Sequence, residues 1–126
     1  MTNIAQHAFT SGNKVIVLSD GSKLFSSEFD TKCKFDIFRF DQIKFLRKRI
    51  KSNFAQNFIK NNKIDIIFFD SWKSLEPFNY TTAAKKICLA HGNEILNRNN
   101  KNRILNTLNK ADLIIYNSEF TQNKTI

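Results

Sequence analysis

Several short apolar runs in this chain are followed at once by polar side chains that can bind or polarise a ligand. The groups after the runs are Ser19-Asp20-Gly21, Asp70-Ser71-Trp72, His91-Gly92-Asn93-Glu94 and Asn117-Ser118-Glu119. In an open α/β sheet, ligands bind outside the carboxyl ends of the strands, so these groups are the predicted site. His91 is the most informative because an imidazole can donate to a hydroxyl or phosphate oxygen, or act as an acid or base near neutral pH.

Each candidate residue also has a structural interpretation, and spacing alone leaves both open. His91 could instead hydrogen-bond a loop amide, and Glu94 could stabilise the N-terminus of the next helix rather than bind a sugar hydroxyl. Gly92 lacks a side chain, which lets a substrate or another stretch of backbone approach closely. Asp112 is predicted to hold the turn before a strand, and Ser118 to cap the helix that follows it.

The spacing of apolar residues predicts strands that alternate with helices. The predicted strands are Lys14–Ser19, Phe35–Phe40, Asp65–Phe69, Ile87–Ala90 and Leu113–Tyr116. The predicted helices are Ile4–Phe9, Asp41–Lys60, Leu75–Lys86, Arg98–Asn109 and one that begins after Ser118. This alternation is typical of a doubly wound sheet, so the predicted fold class is α/β, Rossmann-like, with a mostly parallel sheet and helices on both faces.

The length of the chain bounds its organisation. Its 126 residues, 41% of them hydrophobic, suffice for one compact domain, residues 1–126, and are too few for two ordinary domains. Its longest apolar runs are far below the roughly 20 residues that span a bilayer, and its N-terminus lacks the apolar stretch of a secretory signal. A cytoplasmic location is therefore expected.

The chain is strongly basic, and one predicted helix concentrates the charge. The 20 Lys and Arg against 11 Asp and Glu give a net charge of +9, which favours anionic partners unless the lysines only fill a solvated surface. At steps of three and four, the helix Asp41–Lys60 carries an apolar stripe predicted to face a core: Ile43, Leu46, Ile50, Phe54 and Phe58. Four basic residues share another face of this helix: Lys44, Arg47, Lys48 and Lys51. This face could bind anionic membrane or nucleic acid, or it could simply be the solvated outer surface of the helix.

The sequence lacks the motifs of several common kinds of site. Its three glycines form neither G-x-G-x-x-G nor a Walker A loop, and neither G-x-S-x-G nor H-E-x-x-H occurs. Cys33 and Cys88 stand far apart and outside any C-x-x-C, so neither a disulfide framework nor a zinc site is predicted. No metal and no cofactor is therefore expected.

Three motifs, taken in order, resemble the N-terminal domain of glycosyltransferase family 4, which contains retaining GT-B enzymes. The motifs are Asp65-Ile66-Ile67-Phe68, Leu89-Ala90-His91-Gly92-Asn93-Glu94 and Lys110-Ala111-Asp112-Leu113-Ile114-Ile115-Tyr116-Asn117-Ser118-Glu119-Phe120-Thr121. They are similar to the family's D-x-I strand, its strand ending in H-G-x-E and its K-A-D-x-I-I…S-E-x-T stretch. The order and spacing match over nearly the whole chain, from about Ala5 to Thr121.

The resemblance implies a Rossmann-like half whose cleft faces a second such domain. The family moves a sugar from a nucleotide-sugar donor to a hydroxyl acceptor with retained anomeric configuration, usually without a metal, and synthesis of cell-envelope polysaccharide or glycolipid is the implied setting. By resemblance, His91 is the catalytic residue beside the reacting sugar. Gly92 and Glu94 complete its motif, while Ser118 and Glu119 match the substrate-binding loop at the cleft.

The resemblance also implies that this is a partial, acceptor-side domain. Family members begin with a strand and a glycine-rich loop, whereas Met1 here falls inside the matching first helix, so the first strand is expected to be missing and its neighbours to have unpaired edges. The donor-binding domain lies outside these residues, so the isolated chain is expected to transfer no sugar. Its expected partners are the nucleotide-sugar and acceptor once a C-terminal domain completes it. The basic residues of the predicted helix Asp41–Lys60, independently of the resemblance, add an expected peripheral contact with anionic lipid at the inner face of the membrane.

An alternative of another class stays open at this point. The chain could be a small, basic, non-catalytic module that binds anionic membrane or nucleic acid through Lys44–Lys51, although nucleic acid is the less favoured partner.

Overall fold

The computed structural model describes residues 2–92 and 98–125. The chain forms two compact units, Met1–Ala55 and Gln56–Ile126. Parallel strands form one sheet of two strands and one of three, with helices around them. The predicted α/β, Rossmann-like fold class is therefore confirmed, while the single domain 1–126 stays a prediction.

The first unit holds the two-stranded sheet. Its elements are α1 (Thr2–Thr10), β1 (Ile16–Asp20), α2 (Lys23–Lys32), β2 (Asp36–Phe40) and the beginning of α3 (Lys44–Asn61). β1 and β2 are parallel, in a register that pairs Asp20 with Phe40. Positive φ angles, which suit glycine, occur at Gly12 (+89°) after α1 and at Gly21 (+114°) before α2.

Helices pack on both faces of this small sheet. On one face, α1 and α2 border a cavity of about 230 Å³ lined by Ala5, Val17, Ser19, Phe29, Phe35, Ile37 and Arg39. On the other face, Phe54 of α3 packs against Phe38 and Phe40 of β2, with ring centroids 5.0 and 5.5 Å apart. β2 contributes side chains to both faces of the sheet because successive strand residues point to opposite faces.

The second unit holds the three-stranded sheet. Its elements after the end of α3 are β3 (Ile66–Phe69), α4 (Trp72–Leu75), β4 (Lys85–Ala90), a 3₁₀ turn (Arg98–Asn100), α5 (Lys101–Leu108), β5 (Leu113–Tyr116) and α6 (Glu119–Thr125). The strand order is β3-β4-β5, with both pairs parallel. The register pairs Phe68 with Ile87, and Ile87 with Leu113.

One face of this sheet carries the hydrophobic core of the second unit. Its buried members are Phe69, Trp72, Leu75, Phe78, Cys88, Ala90, Ile104 and Leu108. Ile59, near the end of α3, packs against this core. Three side chains at alternate positions of β3 and β5 are 60%, 53% and 41% exposed, so they do not contribute to it: Ile66, Leu113 and Ile115.

Two helices differ from the sequence-based expectation. The predicted helix Leu75–Lys86 is wrong, because α4 ends at Leu75 and β4 already begins at Lys85. Pro77 has no amide to donate to a helix, and the β-branched Thr81 and Thr82 follow it, so the segment forms a loop. The patterns also did not predict α2, which begins after Ser22; the Ser22 hydroxyl accepts from the Leu24 amide at 3.2 Å.

The apolar stripe of α3 faces a core only in its C-terminal part. Three of its members are 69%, 44% and 39% exposed: Ile43, Leu46 and Ile50. The prediction of one continuous core-facing stripe is therefore wrong for the first half of the helix. That half turns two cations toward the sheet instead, because Arg47 and Lys51 pair with Asp20 at the end of β1.

Asp112 ties the start of β5 to β4. Its Oδ2 accepts from the Lys86 amide at 2.8 Å, and its own amide donates to the Lys86 carbonyl at 2.8 Å. The hydrogen bond from the Lys86 amide holds the pKa of the Asp112 carboxyl below its ordinary value of 3.8. The predicted role of Asp112 in the turn before this strand is confirmed.

This contact makes part of the stability pH-dependent. Because the folded pKa of Asp112 is depressed, its contribution is present above the unfolded pKa and is lost as the pH falls through the folded value. We expect Asp112→Asn to flatten the fall in melting temperature between about pH 5 and pH 3, measured by thermal unfolding. Asp41→Asn, which removes an equal charge from an exposed position, is the control, and equal pH slopes in the two variants would contradict the assignment.

Candidate functional site

The carboxyl ends of β3, β4 and β5 meet at one edge of the second unit, because the three strands are parallel. The first residues beyond them are Asp70, His91 and Asn117. These are three of the positions at which the sequence predicts a site, and the fold places them on neighbouring strands. This is the edge at which open α/β sheets bind ligands.

His91 is held by the backbone of the neighbouring strand end. Its Nε2 lies 2.9 Å from the carbonyl oxygen of Asp70. A carbonyl oxygen only accepts, so Nε2 carries the proton, and in the neutral ring Nδ1 carries the lone pair. A neutral His91 held in this way therefore accepts a hydrogen bond at Nδ1, which suits a hydroxyl group better than an unprotonated phosphate oxygen.

The Asp70 side chain is itself held by a hydrogen bond at this edge of the sheet. Its Oδ1 accepts a hydrogen bond from the Ser74 hydroxyl within α4. This contact ties the end of β3 to the helix that follows. The carbonyl that orients His91 thus belongs to a residue whose side chain is itself anchored.

Gly92 lies against the first turn of α6, where a side chain would not fit. A Cβ atom on Gly92 would lie 2.6 Å from Oγ1 of Thr121. Thr121 is 2% exposed, and its hydroxyl donates to Oδ1 of Asn117 at 2.9 Å. The close approach is therefore made to another part of the protein, and Gly92 joins the end of β4 to the start of α6.

Ser118 caps α6, as its position in the sequence predicts. Its Oγ accepts from the Thr121 amide at 3.2 Å and lies 2.9 Å from the Thr121 hydroxyl. Glu119 is the first residue of the helix and is exposed. Ser118 and Glu119 thus stand at the predicted edge, and their roles in substrate binding stay predictions. Glu94, the remaining member of the predicted set, lies outside the described residues.

The sequence alone does not mark Thr121 or Asn117 as partners of Gly92. The signal was available in part, because a serine directly before a helix is typical of an N-cap whose hydroxyl accepts from the amide two or three residues on. Nothing local in the sequence indicates that Gly92 is the residue that this cap contacts. That contact arises from strand order, which brings the ends of β4 and β5 together.

The first unit has a charged cluster at the end of β1. Asp20 accepts from Lys51 Nζ at 2.6 Å and lies 3.6 Å from Arg47 Nη1. The Arg39 guanidinium binds Asp30 through two nitrogens, at 2.7 and 3.1 Å, and this contact raises the pKa of Arg39. The cluster therefore sets three cations against two carboxylates, and each carboxylate is paired with at least one cation.

This cluster divides the four basic residues predicted to contact an anionic surface. Arg47 and Lys51 engage Asp20, and their side chains are 24% and 25% exposed. Lys44 and Lys48 are exposed on the helix. The structure therefore brings the four residues onto one helix, as predicted, and pairs Arg47 and Lys51 with Asp20.

The described residues hold neither a cluster of metal ligands nor a membrane-spanning helix. Across residues 2–92 and 98–125, no group of three or more His, Cys, Asp and Glu side chains is placed to hold a metal ion. Neither Cys33 nor Cys88 is part of a disulfide. Among the helices of that part of the chain, none is long and apolar enough to cross a bilayer.

Comparisons with known proteins add no further identification. No family model, no curated protein and no solved structure matches this chain.

Proposed function

We propose that this chain is the acceptor-side domain of a retaining glycosyltransferase that resembles family 4. In this proposal the completed enzyme moves a sugar from a nucleotide-sugar to a hydroxyl acceptor, in the synthesis of cell-envelope polysaccharide or glycolipid. The 126 residues alone bind substrate but transfer no sugar. The chemistry needs no metal or cofactor.

The observation that carries the proposal is the setting of His91. His91 and Gly92 begin the motif that resembles H-G-x-E and directly follow β4, and the histidine is oriented by the carbonyl of Asp70 at 2.9 Å. The neutral ring then offers a lone pair at Nδ1 to a hydroxyl donor, which is the group that sugars and sugar acceptors present. In the proposal, His91 contacts the reacting sugar or acceptor and helps to position it.

The strand orders add support. A doubly wound dinucleotide-binding sheet has the order 3-2-1-4-5-6. Within the first unit β1 and β2 are adjacent and parallel, and within the second unit three adjacent parallel strands follow in chain order, β3-β4-β5, as consecutive strands of one half of such a sheet do. His91 directly follows β4, and Ser118 stands two residues beyond the end of β5.

Ligand binding by the whole chain tests this proposal. Saturation-transfer NMR suits weak binding, and the probes are methyl α-D-glucopyranoside for a hydroxyl acceptor and UDP-glucose for a nucleotide-sugar. We expect His91→Ala to weaken binding of the glycoside about tenfold, the value of one lost hydrogen bond. Ser118→Ala and Glu119→Gln test the rest of the predicted edge.

A matched variant separates a local contact from a general effect. His7→Ala removes the only other histidine from an exposed position on α1, and should leave binding unchanged. Equal binding by His91→Ala and the unaltered chain, or no binding of either probe, would contradict the proposal. Sugar transfer by the isolated chain would show that the reactive machinery is already complete within it.

A further inference from the structure

The first half of α3 exposes apolar and cationic side chains together. We define the α3 outer face as Lys44, Phe45, Leu46, Lys48, Arg49 and Ile50. Phe45 is 86% exposed, and Ile43, which directly precedes the helix, is 69% exposed. Leu46 and Ile50 are 44% and 39% exposed. These side chains are much larger and more apolar than a solvated helix surface requires.

Helical geometry places three cations around the exposed ring of Phe45. Lys48 and Arg49 follow Phe45 by three and four residues, so they are its neighbours on the helix surface. Lys44 stands one residue before Phe45, and all three cations are exposed. The nearest acid in the sequence is Asp41, outside the helix, and the first turn of α3 contains no acidic residue.

The opposite side of the same helix half is attached to the first unit. Arg47 and Lys51 pair with Asp20, and Phe54 packs on the rings of Phe38 and Phe40. These contacts fix the rotation of the helix about its own axis. The α3 outer face is therefore presented outward by contacts that do not involve its own apolar side chains.

We propose that the α3 outer face docks on a bilayer that contains anionic phospholipid. Helices that lie in the membrane interface combine apolar side chains, which enter the boundary of the acyl chains, with Lys and Arg, which bind the anionic headgroups. The α3 outer face has both, and its cations complement the negative surface. This inference stands independently of the proposed sugar transfer.

The apolar side chains of the α3 outer face, together with the adjacent Ile43, favour a membrane over a nucleic acid. Nucleic-acid binding needs cations for phosphates and flat rings that stack on bases. Phe45 could stack, but the aliphatic Ile43, Leu46 and Ile50 have no such role. A bilayer gives all four a favourable environment.

Vesicle co-sedimentation of the full chain tests the docking. The probes are vesicles of phosphatidylcholine alone and vesicles of phosphatidylcholine mixed with phosphatidylglycerol. We expect binding to the mixed vesicles only, weakened by added salt because exposed charges are screened. Phe45→Ser should weaken binding about tenfold through the loss of apolar burial. The double variant Lys44→Glu/Arg49→Glu should weaken it by at least about tenfold.

Two controls match these changes. Leu24→Ser removes an apolar side chain on α2 that is as exposed as Phe45, at 86%, and should not change binding. Lys60→Glu/Lys63→Glu alters the net charge equally at exposed positions beyond this face, and should have a much smaller effect than Lys44→Glu/Arg49→Glu. Circular dichroism of each variant confirms that it is folded.

The outcomes are distinct. Equal binding of Phe45→Ser and Leu24→Ser, or equal binding to both kinds of vesicle, would overturn the proposal. Binding of a DNA or RNA oligonucleotide that depends on Lys44 and Arg49 but not on Phe45, without vesicle binding, would assign the face to nucleic acid instead.

Discussion

Replacing Leu75 by alanine is expected to lower the free energy of unfolding by about 3 kcal/mol. Leu75 is 0% exposed and belongs to the core of the second unit, together with Ile104 and Leu108 of α5. Deletion of three carbons there removes apolar contacts and leaves a cavity that the close-packed neighbours fill only in part. Because α4 has only four residues, this core contact, rather than helix propensity, holds it in place.

Urea unfolding followed by tryptophan fluorescence measures this loss. Trp72 is the only tryptophan and is 6% exposed in the same core, so its emission reports on the second unit. Leu113→Ala makes the same chemical change in a side chain that is 53% exposed and should cost about 1 kcal/mol or less. Equal losses in the two variants would contradict the described core.

Gly92→Ala is expected to destabilise the protein by about 1–3 kcal/mol through a steric clash. The added Cβ would lie 2.6 Å from the Thr121 hydroxyl. That hydroxyl is held by Asn117 and Ser118 and cannot move away without losing these contacts. Gly92 has no positive φ, so the cost comes from the contact and not from the backbone conformation.

A double-mutant cycle isolates this contact. In a Thr121→Ala background the clashing oxygen is gone, and the next atom of residue 121, its Cβ, would lie 3.8 Å from the new methyl group. The cost of Gly92→Ala should then fall close to zero. In a Thr121→Ser background the oxygen remains and the cost should persist. Additive losses in all backgrounds would show that Gly92 and Thr121 do not touch.

The sequence predicts the strands of this fold better than its helices. Leu113–Tyr116 is predicted to the residue, because four consecutive apolar residues stand between the turn at Asp112 and the polar Asn117. The helix predicted at Leu75–Lys86 does not form beyond Leu75. Leu75 and Phe78 are three residues apart, as on one face of a helix, but Phe78 is buried in the core from a loop. Tertiary packing at Phe78 thus overrides a local pattern.

The candidate site is predicted in its residues but not in its geometry. Strand ends marked by polar residues suffice to select His91 and Gly92, because parallel strands bring their carboxyl ends to one edge. The sequence does not indicate that the carbonyl of Asp70 orients the ring, since every residue has a carbonyl. It also does not indicate that Arg47 and Lys51 engage Asp20, since ion pairs between distant residues depend on the fold.

The most direct test of the proposed sugar-binding role is ¹⁵N NMR of the two histidine rings. The chain has only His7 and His91, so each signal is assigned by one substitution. At a pH where the rings are neutral, we predict that Nε2 of His91 carries the proton and that addition of methyl α-D-glucopyranoside shifts its Nδ1 signal, with His7 unchanged. A proton on Nδ1 of neutral His91, or equal responses of the two rings to the glycoside, would contradict the account.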